Sequence, residues 1–187
     1  MSWMGAPVWG SAVTSHAMVY FSPDDQLDKR LIEQIENESK SIHVCTYSFT
    51  HGGIANALIE AKQRGVEVEV IVDRFAVKIK SPLKKLIEAG IPVYVWDPCP
   101  IKRKIVRRPL MHNKFCVFGR DRVWTGSYNL TYDASKIHQE NVLVLQDASL
   151  AATYKGQFNT IRLRSCIPLG SYVVMRPPKK MVVVRRR

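Results

Sequence analysis

A chain of 187 residues, 46% hydrophobic and 24% charged, has the length and composition of one folded domain with a tail, which excludes global disorder. It contains no run of about 18 apolar residues, so a membrane-spanning helix is excluded as well. Its 28 Lys+Arg against 16 Asp+Glu leave a net charge of +12, the sign that suits a polyanionic partner.

Residues 1–17 lack a basic start and a continuous apolar stretch, so they read as an N-terminal arm and not as a secretory signal; the compartment stays unknown. Met18–Phe21 reads as a short strand. Ser22 as cap, Pro23 at the first helical position and Asp24 and Asp25 behind it predict a helix start, with Leu27, Leu31, Ile32 and Ile35 as its apolar stripe. Ser41–Tyr47 reads as a strand. Ile54, Ala57, Leu58 and Ala61 follow at helical spacing, closed by Lys62, Arg64 and Gly65. Val66–Val72 predicts a strand, Pro82–Ala89 a helix ending at Gly90, and Ile91–Trp96 a strand. A basic loop with three prolines spans 97–110. Strands at Met111–Phe118, Arg122–Thr125 and Asn141–Leu145 and a helix over about 148–163 complete the pattern. Strands alternating with helices predict an α/β domain over 18–165, with a mostly parallel or mixed central sheet flanked by helices. Residues 166–187, with Pro168, Pro177 and Pro178, form a basic tail that adds an edge strand or stays loose.

The excess charge is concentrated. Lys102, Arg103, Lys104, Arg107 and Arg108 crowd residues 101–109, and eight more cations lie in residues 162–187, with no acid in either segment. Without these thirteen, 15 basic residues face 16 acids. Two such patches suit nucleic acid or an anionic lipid surface; a terminal charge run is equally explained by solvation. Cys45, Cys99, Cys116 and Cys166 show no CxxC or Cys/His spacing, so neither a zinc site nor a disulfide scaffold is indicated, and they read as core residues.

His112 and Lys114 stand two apart on a predicted strand, which turns both to one face. The turn at Gly126-Ser127-Tyr128-Asn129 brings a second pair, Ser127 and Asn129, also two apart, and Glu140 leads the next strand. An imidazole, a fixed cation, a hydroxyl, an amide and a carboxylate together can attack a phosphodiester and hold the charge that develops on its oxygens. A bare HxK carries nothing alone; HxK followed by GSxN and then by an acid at a strand start is far more specific. Read without a family, Ser127 and Asn129 serve equally to shape the turn, and Glu140 to begin a strand. His43 reads as structural, His51 as a helix cap, and His138, near Glu140, as a candidate cleft residue; Tyr128 stands inside the motif as another.

The segment Met111–Phe118 followed by Thr125–Thr131 resembles the phospholipase D superfamily, in particular its small bacterial endonucleases with one HxK…GSxN motif per chain. Tyr47-Ser48-Phe49-Thr50, Ala57-Leu58, Ala61-Lys62, Arg64-Gly65-Val66, Asp73 and Phe21-Ser22-Pro23 fit the same branch, so the resemblance covers about residues 18–163. One departure is clear: the motif's Asp falls on Gly119, and Asp121 comes two positions late. The resemblance implies a phospholipase D-like fold and hydrolysis through a phosphohistidine. One neutral imidazole attacks phosphorus while a second, protonated, gives its proton to the leaving oxygen. With one motif and no internal repeat, the second His112 would come from another copy in a two-fold dimer. Lys114 would neutralise the non-bridging oxygens, Ser127 and Asn129 would hydrogen-bond the same phosphate, and Glu140 would orient the histidine. No metal or other cofactor is then required. The basic loop ahead of His112 favours a nucleic-acid backbone, DNA or RNA, read without base specificity. A lipid phosphodiester and a non-catalytic nucleic-acid-binding module are the alternatives.

Overall fold

The computed structural model describes residues 16–77, 81–98 and 109–175. The proposed nucleic-acid contacts Lys102, Arg103, Lys104, Arg107 and Arg108 lie outside the described residues, as do Cys99, most of the N-terminal arm and the end of the basic tail.

The chain runs β1 (His16–Ser22), α1 (Leu27–Glu36), β2 (Ser41–Thr46), α2 (Gly52–Gln63), β3 (Glu67–Asp73), a 3₁₀ turn (Arg74–Ala76), α3 (Leu83–Glu88), β4 (Val93–Trp96), β5 (Lys114–Phe118), β6 (Arg122–Gly126), α4 (Tyr132–Lys136), β7 (Glu140–Gln146), α5 (Ala148–Ser165), β8 (Cys166–Pro168) and α6 (Leu169–Met175). One eight-stranded sheet has the order β1-β7-β6-β5-β2-β3-β4-β8. It is mixed. Among the described strands, β2–β3 and β3–β4 pair in parallel, and their crossovers run through α2 and α3. Every other pairing is antiparallel, so the parallel majority that the strand–helix alternation suggested is confined to three strands.

Alternation along the strands divides the core. In β2 and β3, Ile42, Val44, Val68, Val70 and Val72 face the layer that holds α1 and α2. Cys45 and Ile71 face the other side, where Phe158 and Ile161 of α5 cover them. The apolar stripe of α1 behaves as expected, with Leu27, Leu31 and Ile35 buried. Its start does not. The helix begins at Leu27, because the capping residues are used elsewhere. The Asp25 carboxylate accepts the Phe21 N–H at 2.8 Å. Ser22 ends β1; its hydroxyl donates to the His138 carbonyl at 2.8 Å and accepts the Glu140 N–H at 3.0 Å. α2 is capped as expected by His51, whose Nδ1 accepts the Ile54 N–H.

Two boundaries move. β1 begins at His16, inside the stretch read as an arm. Residues 166–175, read as part of the tail, form β8 and α6: β8 adds the edge strand that was one of the two expectations, pairing with β4, and Leu169 and Tyr172 are buried in the core. β5 begins at Lys114, so His112 stands just ahead of the strand and not within it.

Candidate active site

The reactive residues gather where β2 and β3 end and β5 begins. Thr46, the last residue of β2, pairs with Lys114, the first of β5. Beyond β2 the chain is stitched to the loop that carries Asn129. Leu130 donates its N–H to the Ser48 carbonyl at 3.1 Å, and the Leu130 carbonyl accepts the N–H groups of Thr50 and His51. Two segments far apart in sequence thereby meet at Tyr47 and Asn129, which line one cleft.

His112 is exposed, but the chain around it is fixed from behind. The fully buried Asp73 carboxylate accepts the Phe75 N–H and the Met111 N–H, both at 2.9 Å. Arg74 Nη1 donates to the Pro109 carbonyl at 3.0 Å. The imidazole packs on Tyr47 with ring centroids 4.9 Å apart, and Phe75 also packs on Tyr47, at 6.3 Å. Lys114 Nζ lies 5.6 Å from the Tyr47 ring centroid and donates to the His112 carbonyl at 2.8 Å. A cation is therefore held beside the imidazole. Burial holds the Lys114 ammonium below the usual lysine pKa, an effect opposed by the nearby negative charge of Glu140.

Gly126 is fixed by space. A Cβ there would sit 2.1 Å from the Asn141 carbonyl oxygen, so only glycine lets β6 run this close to β7. Ser127 is fastened at the same point: its N–H donates to the Asn141 carbonyl and its hydroxyl oxygen accepts the Asn141 N–H, both at 3.0 Å. The Ser127 O–H is left to donate. Asn129 Oδ1 is buried and has no hydrogen-bond partner among the described residues.

The Glu140 carboxylate, 13% exposed, begins β7 opposite Ser22, lies 4.0 Å from His138 Nδ1 and acts electrostatically on Lys114. His138, more than half exposed, lines the cleft. Tyr128 does not: it is buried, packs edge-on against Trp124 at 6.2 Å and bonds Ser135 at 2.6 Å. His43 is a core residue of β2, as expected. Sequence reasoning assigned no task to Tyr47, Asp73, Tyr132 or Asp133. Tyr47 directly after a strand, and Asp73 closing one, were the available signals.

At the motif's aspartate position, Gly119 has φ 56° and its missing Cβ faces the Glu38 carboxylate at 3.4 Å. Glu38 accepts the N–H groups of Ser39 and Lys40 and pairs with Arg122 at 3.2 Å, so a carboxylate does reach this corner, from another element. Among the described residues no group of three His, Cys, Asp or Glu converges as metal ligands.

Residues 31–162 match the family model of the cardiolipin synthase, PLD-like domain. The chain belongs to the phospholipase D superfamily. It is 35% identical to a phospholipase D of Rickettsia prowazekii over 141 residues, a match that covers 75% of this chain and 64% of that protein, so under two thirds of the relative's length has a counterpart here. It is 29% identical to the mitochondrial cardiolipin hydrolase of Xenopus laevis over 138 residues, 73% of this chain and 61% of that one. In fold it is similar to Nuc of Salmonella typhimurium, a phospholipase D family member, with a TM-score of 0.70 at 24% identity, over 81% of this chain and 96% of Nuc. His112, Lys114, Ser127, Asn129 and Gly119 all lie within the residues that the family model matches.

Proposed function

We propose that this superfamily phosphodiesterase is an endonuclease that cleaves DNA, and RNA as a second substrate, through a phosphohistidine at His112. The observation that carries the reading is the pairing of His112 with the partly buried Lys114 ammonium beside a polar cleft. The neutral imidazole attacks phosphorus, and an N–P bond forms as the P–O bond to the leaving strand breaks. The same histidine of a second copy, protonated, gives its proton to that oxygen. Water then attacks phosphorus, loses its proton to the second imidazole and frees His112. Lys114 and the O–H of Ser127 offset charge on the non-bridging oxygens, so no metal is required. Glu140 orients the histidine in this scheme, and its negative charge also acts on Lys114. The five cations of 102–108 supply the pull toward a polyanion.

The test is incubation with plasmid, single-stranded DNA and RNA in excess EDTA. Cleavage is expected in EDTA, and His112→Ala is expected to lower it by at least about 10³-fold while DNA binding persists. Activity should follow a bell-shaped pH profile, and sedimentation should show a dimer. Loss of cleavage on chelation, or an active strict monomer, would overturn the scheme. A second reading is favoured by the relatives' names, phospholipase D and mitochondrial cardiolipin hydrolase: hydrolysis of phospholipid vesicles with nucleic acid left intact would establish it. Binding of DNA without cleavage of any phosphodiester would point to a non-catalytic module.

A further inference from the structure

The cleft beside the reactive residues holds about 470 Å³, and the phosphate chemistry uses only its near edge, at Tyr47 and Asn129. Thr131, Tyr132, Asp133 and His138 form the far side. Among the described residues no lysine or arginine lines it, and Asp133 adds a carboxylate, so these walls suit a second phosphate poorly. Its hydroxyl, amide and carboxylate groups make it an equally poor home for an acyl chain. Two features ask for a particular ligand. The Tyr132 ring is 61% exposed, and among the described residues no other ring or cation stacks on it. The Asn129 Oδ1 acceptor is buried without a donor. A nucleobase has what both lack, a flat π-face and N–H donors. A choline headgroup would satisfy aromatic rings and a carboxylate, but it fills a small part of this volume and brings Asn129 no donor.

We propose that the cleft is a nucleoside subsite, in which the base next to the scissile phosphate stacks on Tyr132 and turns its N–H groups toward Asn129 and Asp133. The assignment rests on the nucleic-acid reading above and narrows it. A base enters such a cleft only after leaving its duplex stack, so unpaired strands are the preferred substrate.

The test uses the full chain and an end-labelled single-stranded oligonucleotide with one abasic residue, with products resolved to single linkages. The wild type is expected to cut the linkages flanking the abasic residue about tenfold more slowly than those flanked by bases. In Tyr132→Ala that ratio should fall to about one, and in Tyr132→Trp it should return. The wild-type comparison needs no variant, so a misfolded Tyr132→Ala would not spare the proposal. Equal cutting at abasic and normal linkages by the wild type, or an unchanged ratio in Tyr132→Ala, overturns the subsite and leaves the nuclease reading standing. If the wild type cuts no nucleic acid and hydrolyses phosphatidylcholine vesicles, the nucleic-acid reading fails and the subsite with it.

Discussion

Gly119 shows how a motif residue can be absent without its charge being lost. Its backbone lies in the left-handed region, where a side chain costs about 1 kcal/mol, and the space a Cβ would occupy faces the Glu38 carboxylate. Writing the superfamily's residue back in, as Gly119→Asp, would therefore place two carboxylates together on a strained backbone. The expected result is a loss of about 1–3 kcal/mol, read as a lower Tm, with Gly119→Ala losing only the backbone share. A stabilised Gly119→Asp would contradict this account. Glu38 was not legible in the sequence, since it meets Arg122 across 84 positions and no local pattern marks the pair. His112-Asn113-Lys114 and Gly126–Asn129 were legible because each is a contiguous piece that resembles the superfamily motif.

Between elements, the Asp73 carboxylate is the brace of the site. It closes β3, accepts two N–H groups, and one of them belongs to the residue before His112. In Asp73→Asn one carboxylate oxygen becomes an NH₂ that must face a backbone N–H. The expected result is a kcat at least about tenfold lower with KM nearly unchanged, since the binding cleft is elsewhere and the loss is one of position. An unchanged kcat would show that His112 is held by its rings alone. A second contact between elements governs stability. His43 of β2, 2% exposed, contacts Lys155 of α5 and packs edge-on against Phe158. Burial first, then the positive Lys155, lowers its pKa to about 4. The unfolded chain, near 6.5, thus takes up a proton that the folded one refuses. Stability is complete above about 6.5 and falls toward pH 4, by about 3 kcal/mol in total. His43→Leu should flatten the fall of Tm across that window; an unaltered slope would assign the acid sensitivity to another group. Periodicity revealed these elements, because each strand and helix buries one repeating set of residues. It did not reveal that β5, β6 and β7 return antiparallel, since a strand's side-chain alternation reads the same in either direction. The start of α1 differs from the expectation because the backbone of His138 and Glu140 claims the Ser22 hydroxyl, while the Phe21 N–H claims the Asp25 carboxylate.

At the scale of the molecule, charge and shape are divided. The described cleft has no lysine or arginine along its lining, while the basic run 102–108 sits in the chain between β4 and Pro109, whose carbonyl Arg74 grips beside the site. In the proposed scheme, general attraction and local recognition thereby fall to different segments. Replacing Lys102, Arg103, Lys104, Arg107 and Arg108 with alanine should reduce the slope of log K for DNA against log[salt] by about 0.7–0.9 for each phosphate no longer neutralised. A slope equal to the wild type's would clear that loop of any role on the backbone.

The clasp made by the Ser22 hydroxyl has a temporal meaning. It joins the first described strand to β7, across 116 and 118 positions, and β7 is also the wall against which Gly126 and Ser127 are pressed. During synthesis neither edge of that wall can be completed before residue 146 has left the ribosome, so the turn that carries Ser127 and Asn129 stays without its support until all of β7 exists.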